Sequence, residues 1–232
     1  TTNTIFRGVT FAPNSVTLTT NSSIPAGTYD KIEINNCEVN LSGNVIVNGE
    51  LEFLNGAILN TGANSISFTP SASDINESPS NGRIVGTAIM EPRFVGNASF
   101  PQFLGVSLDA GTDDIGSLSI TRVTGPSGVI TVMPNSGIAV NWSITSNFVP
   151  SSGRNLTLSF LSNFDNGKDM SQATVWRSNG MNWEPIGGVS DISGSNPRSI
   201  SRTITGFSSW TISDNGSPLP VELDGFVAST IK

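Results

Sequence analysis

Three sets of side chains have the types and spacing to do chemistry. Glu50 and Glu52 in "NGELEF" stand two residues apart. On a strand they share one face, with Leu51 and Phe53 on the other. Two carboxylates at suitable separation can do acid–base work on a glycosidic bond. Lyase chemistry on a polysaccharide also asks for a nearby basic residue, and none occurs after these acids until Arg83. On an outward face the same pair is an ordinary solvated position. The second set sits in two Gly-bearing loops: Asp109, Asp113 and Asp114 in "SLDAGTDDIG", and Asp165, Asn166 and Asp169 in "SNFDNGKDM". Several oxygen ligands on a flexible loop suit Ca²⁺. Neither loop carries the full EF-hand spacing, and Asp, Asn and Gly are also what turns use. The third set is aromatic. Trp176 and Trp183, with Tyr29, could stack on sugar rings if their faces are exposed; packing within a hairpin is the competing reading.

The absences are as informative. The chain has no histidine, which removes Ser-His-Asp and Cys-His catalysis and nearly all imidazole metal sites. The single cysteine, Cys37, lies in an alternating apolar run, "IEINNCEVNLSG", where a small core residue is expected. The formal charge is −7 and only 12% of the 232 residues are charged. A phosphate backbone or an anionic membrane asks for a clustered Lys/Arg face, so neither nucleic acid nor a membrane surface is an expected partner. No apolar stretch is long enough for a spanning helix. No cofactor motif is present, Ca²⁺ aside. The chain opens on Thr1 without a leader pattern, as a processed or cropped chain would.

At the level of the elements, Val, Ile, Thr and Phe alternate in short runs punctuated by Gly and Asn, which predicts an all-β fold. In residues 29–70 the runs are very short: Ile32/Ile34, Cys37/Val39/Leu41, Val45/Val47, Leu51/Phe53, Ile58 with Leu59, and Ile66/Phe68. They recur about every six to eight residues with Asn/Gly corners between them. That pattern predicts a short parallel β-helix or solenoid over residues 1–72, whose stacked coils share one apolar column. An antiparallel sandwich with tight Asn-Gly turns is the alternative. The Ser/Pro/Asn-rich residues 73–82 are read as a linker. From residue 83 to 216 the runs lengthen to seven to nine strands, spaced as in an immunoglobulin-like β-sandwich. "WRSNGMNWEPI" reads as a hairpin turning at Asn179-Gly180, and Trp142 and Trp210 alternate with polar neighbours as core residues do. Residues 217–232 form a second linker and a terminal strand.

The segments "GIAVNWSIT", "LTLSFL", "VWRSNGMNWEPIGG" and "ITGFSSWTISDNGSPLPVEL" resemble the region ahead of the C-terminal sorting signal in surface and secreted proteins of Bacteroidetes bacteria that leave through the type IX secretion system. The Pro218–Leu223 stretch is the most specific part, and the N-terminal coil pattern is similar to the solenoid-like segment that commonly precedes this module. The resemblance implies an extracellular or outer-surface location and no one activity. The usual sorting domain has no counterpart in this sequence.

The residues and the resemblance together predict a non-enzymatic structural or adhesive protein. Its partners would be a second copy or a neighbouring β-domain, joined by strand pairing through residues 1–8 and 221–231. Val221, Leu223, Phe226, Val227 and Ile231 would supply the apolar face of the last strand. The alternative is a carbohydrate-binding or polysaccharide-degrading accessory module, with Trp176 and Trp183 against a surface polysaccharide.

Overall fold

The computed structural model describes residues 14–73, 75–132, 135–189 and 192–214. The first strands are β1 (Ser15–Leu18), β2 (Ser22–Ile24), β3 (Gly27–Asn35), β4 (Glu38–Leu41), β5 (Val45–Leu54), β6 (Ala57–Phe68) and β7 (Gly82–Phe94). All pair in parallel with a neighbour, which makes a solenoid. Residues on one face align coil over coil: Tyr29, Val47, Phe68 and Met90 are successive partners, so the stack is four coils deep. A second face stacks Val39, Leu59 and Ile84, and a third stacks Val16, Ile32 and Leu51. These columns, buried except for the partly buried Val16 at the first coil, form the apolar interior that no single coil could bury alone. Cys37 is a free thiol in this interior, as its setting predicts, with Sγ 3.4 Å from the Leu18 carbonyl.

The apolar runs are not separate strands. Val45/Val47 and Leu51/Phe53 belong to the one strand β5, which passes from one face to the next at Gly49. β6 and β7 bend in the same way. A Cβ at Gly49 would lie 2.2 Å from the Asp30 carbonyl of the preceding coil. Only glycine permits that approach.

β7 is both the last coil and the first strand of an antiparallel region. It pairs in parallel with β6 and antiparallel with β10 (Ser117–Thr124). Pro92 falls at the irregularity in the β7–β10 register, where no donor is needed. Between them come β8 (Phe100–Phe103) and β9 (Val106–Leu108). After β10 the chain forms β11 (Thr131–Val132), β12 (Asn135–Ser136), β13 (Val140–Ser146), β14 (Arg154–Phe160), β15 (Thr174–Ser178), β16 (Trp183–Ile186), β17 (Arg198–Ile204) and β18 (Ser209–Ser213). The long sheet continues β7-β10-β13-β18-β15-β16, and a four-stranded antiparallel sheet has the order β17-β14-β9-β8. Among the described residues from 82 on there are thus twelve strands, several only two to four residues long. They do not form a free-standing sandwich, because one of its sheets grows directly out of the solenoid.

The two sheets meet over the coil stack. Phe68 of β6 touches Phe103 of β8 edge to face at 5.5 Å, and the Arg93 guanidinium lies 3.8 Å over the Phe103 ring. Trp142 of β13 donates its Nε1–H to the Leu104 carbonyl at 2.9 Å. Trp142 and Trp210 are fully buried and directly opposite one another on β13 and β18, in agreement with their alternation in the sequence. One continuous apolar cluster runs from Ile24 to Ile212. Among the described residues no helix is long and apolar enough to cross a membrane.

Candidate functional site

The acidic pair lies on the outer side of the third solenoid face. The register sets Lys31 opposite Glu50 and Glu33 opposite Glu52. The Lys31 Nζ is 2.6 Å from Glu52 Oε2, 3.2 Å from Glu50 Oε2 and 3.8 Å from Glu33 Oε2. A basic residue is therefore present at the acids, one coil upstream rather than downstream. Hydrogen bonds to Glu52 and then Glu50 hold its ammonium up to a pKa of about 12, so it is a fixed cation and not a base. The two Oε2 atoms share one Nζ and can lie at most about 6 Å apart, short of the gap that holds a water in inverting glycosidases. The lysine occupies the space between them. The arrangement is a charge ladder of three carboxylates and one ammonium, which lets acids stack coil on coil.

The six loop residues do not converge. Asp109 accepts from Asn155 Nδ2 at 3.2 Å, and Asp114 accepts from the Gly116 N–H at 2.6 Å. Asp113 accepts from the Ser151 N–H and from the Ser151 and Ser152 hydroxyls. The Ser151 N–H holds its carboxyl below the ordinary range. Asp165 pairs with Arg198 at 2.9 Å, while burial raises its pKa. Asn166 has φ 53° and donates to the Gly137 carbonyl. Asp169 caps the 3₁₀ turn Met170–Gln172 by accepting from the Ser171 hydroxyl and N–H, which lower its pKa in that order. These carboxylates serve turns and strand connections. Among the described residues no group of three or more His, Cys, Asp or Glu comes together as a metal cage.

The hairpin forms where the sequence places it. β15 and β16 are antiparallel and joined by residues 179–182, with Gly180 at φ 95°. Trp176 is 5% exposed, however, so its ring offers no stacking surface to a sugar and the glycan reading fails at that residue. β18 on one side and β16 on the other enclose it, opposite Thr211 and Pro185. Trp183 is half-buried on the edge strand. Tyr29 is buried, and its hydroxyl donates to the Pro25 carbonyl. Val221, Leu223, Phe226, Val227 and Ile231 lie outside the described residues.

One further feature has no signal in the sequence, a narrow cleft between the two sheets. Arg122 of β10 and Glu77, from the excursion joining β6 to β7, meet in it with Nη1 2.5 Å from Oε2. Glu77 also accepts the Ile84 N–H at 2.7 Å. Thr124, Val140, Ser159 and Phe160 are among its other lining residues. Forty-five residues separate the two charges, so no local pattern could have announced the pair. Comparison with family models, with curated proteins and with solved structures gives no match for this chain.

Proposed function

We propose that this protein is a non-enzymatic structural or adhesive component of the extracellular surface that associates through a free strand edge. The observation that carries this reading is the contrast between the two ends of the long sheet. At one end, edge strand β16 contains Pro185 and Glu184, residues that discourage a further strand. At the other, β1 reads Ser-Val-Thr-Leu and β2 Ser-Ser-Ile, with no charge and no proline. Among the described residues β1 pairs only with β3, and β2 only with β4. The Asp30 N–H donates to the Asn14 carbonyl. In a parallel ladder that alternation turns Val16 and Leu18 toward β3, and Ser15 and Thr17 toward the open side. A parallel edge that no described residue covers, lying over an apolar coil, is a template for another β-segment. The sparse surface charge and the likeness to type IX surface proteins support the same location.

Sedimentation of the full chain over a wide concentration range tests this. Wild type should self-associate. Thr17→Pro removes an outward N–H and spares the ladder to β3, so it should shift the equilibrium to monomer with the far-UV spectrum unchanged. A wild type that stays monomeric at every concentration overturns the reading.

A further inference from the structure

We propose that the cleft between the sheets is a binding site for a small monocarboxylate, held on the free edge of Arg122. Arg122 is 4% exposed, yet its Nε and Nη2 have no hydrogen-bond partner. Among the described residues it alone contributes two such orphaned atoms. They are not two arbitrary donors. Nε–H and one Nη2–H project in parallel from the same side of the guanidinium, the fork that matches both oxygens of a carboxylate. Glu77 occupies the other end through Nη1 and leaves that edge unused. Buried donors left unpaired are costly, so an occupant that satisfies both is favoured.

The surroundings select the occupant. The cleft opens to solvent at its mouth, and Val140, Phe160 and Phe164 supply apolar wall. Gln102 and Pro197 stand with Glu77 among the other lining residues. A planar head with a short apolar tail fits this chemistry. A tetrahedral dianion fits less well: Glu77 is already paired with Arg122, so a dianion brings two negative charges beyond that pair where a monocarboxylate brings one.

The test tracks the Arg122 Nε–H resonance in ¹H–¹⁵N spectra of the full chain, identified by its loss in Arg122→Lys or, if that variant does not fold, by side-chain connectivity in the wild type. Sodium acetate should move it saturably. Sodium chloride at matched ionic strength and acetamide, the uncharged isostere, should not. Ser159→Leu keeps the guanidinium but narrows the cleft, and should weaken acetate binding by about tenfold or more. No saturable shift up to about 0.1 M acetate means that water alone satisfies the arginine and overturns the proposal. An equal response to acetamide overturns the carboxylate assignment.

Discussion

Lys31 shows how one side chain sets what a surface can do. Three glutamates stacked on neighbouring coils would repel one another, and the ammonium among them removes most of that repulsion. Its pKa is raised from 10.5 to about 12. A raised pKa means that the folded state holds the proton more tightly, so the stabilisation is fully present below 10.5 and is lost as pH rises through about 12. Lys31→Met should therefore lower the urea midpoint at pH 7, and the gap to wild type should close over that alkaline window. A gap that persists unchanged above it would assign the role to the aliphatic stem instead. The same residue shows what spacing hides. That Glu50 and Glu52 share a face is a consequence of strand alternation alone. That Lys31 lies between them depends on a coil offset of 19 residues, which nothing local encodes.

At the scale of the element, the sequence reveals faces better than corners or registers. The alternating runs from Ile32/Ile34 to Ile66/Phe68 point inward, except that beside Leu59 the inward position is Ala57 and not Ile58, because burial on one side of a strand leaves a period of two. The strand boundaries are different, since a coil corner need not break the ladder. Stacked positions on one face are 20 and then 25 residues apart, at Val39, Leu59 and Ile84, so no fixed repeat exposes the register. Corners depend on single residues. Gly86, where β7 turns between faces, has φ 114°, and a Cβ there would lie 2.0 Å from Thr61 Oγ1. That hydroxyl accepts the Thr87 N–H at 2.9 Å. Gly86→Ala combines a backbone conformation closed to alanine with a clash inside the coil, and should cost about 2 kcal/mol or more, measured as a lower denaturant midpoint at unchanged m-value. Gly56→Ala, at φ 77° with open space around it, should cost less, because only the backbone term applies. Equal losses would show that the contact with Thr61 is relieved without cost.

At the scale of the molecule, residues 73–82 have the composition of a linker, yet the fold does not divide there. β6 and β7 lie side by side across that segment, and the excursion is tied back at both ends. Arg93 Nη2 donates to the Thr69 and Ala72 carbonyls at 3.0 Å each, and Arg122 pairs with Glu77. Composition reports that a segment has no core of its own; it does not report whether the cores on either side are one. Here a single cluster links the coils to the sheets, so solenoid and sheets should unfold together. Calorimetry should give one transition with equal van't Hoff and calorimetric enthalpies, on the order of 140 kcal/mol near 60 °C for the roughly 200 described residues. Two transitions, each with its own smaller enthalpy, would mean that β7 can leave β6 or β10 without carrying the rest. That outcome is disfavoured because parting β7 from β6 separates Met90 from Phe68, and parting it from β10 separates Met90 from Ile120, exposing the apolar column that makes each half stable.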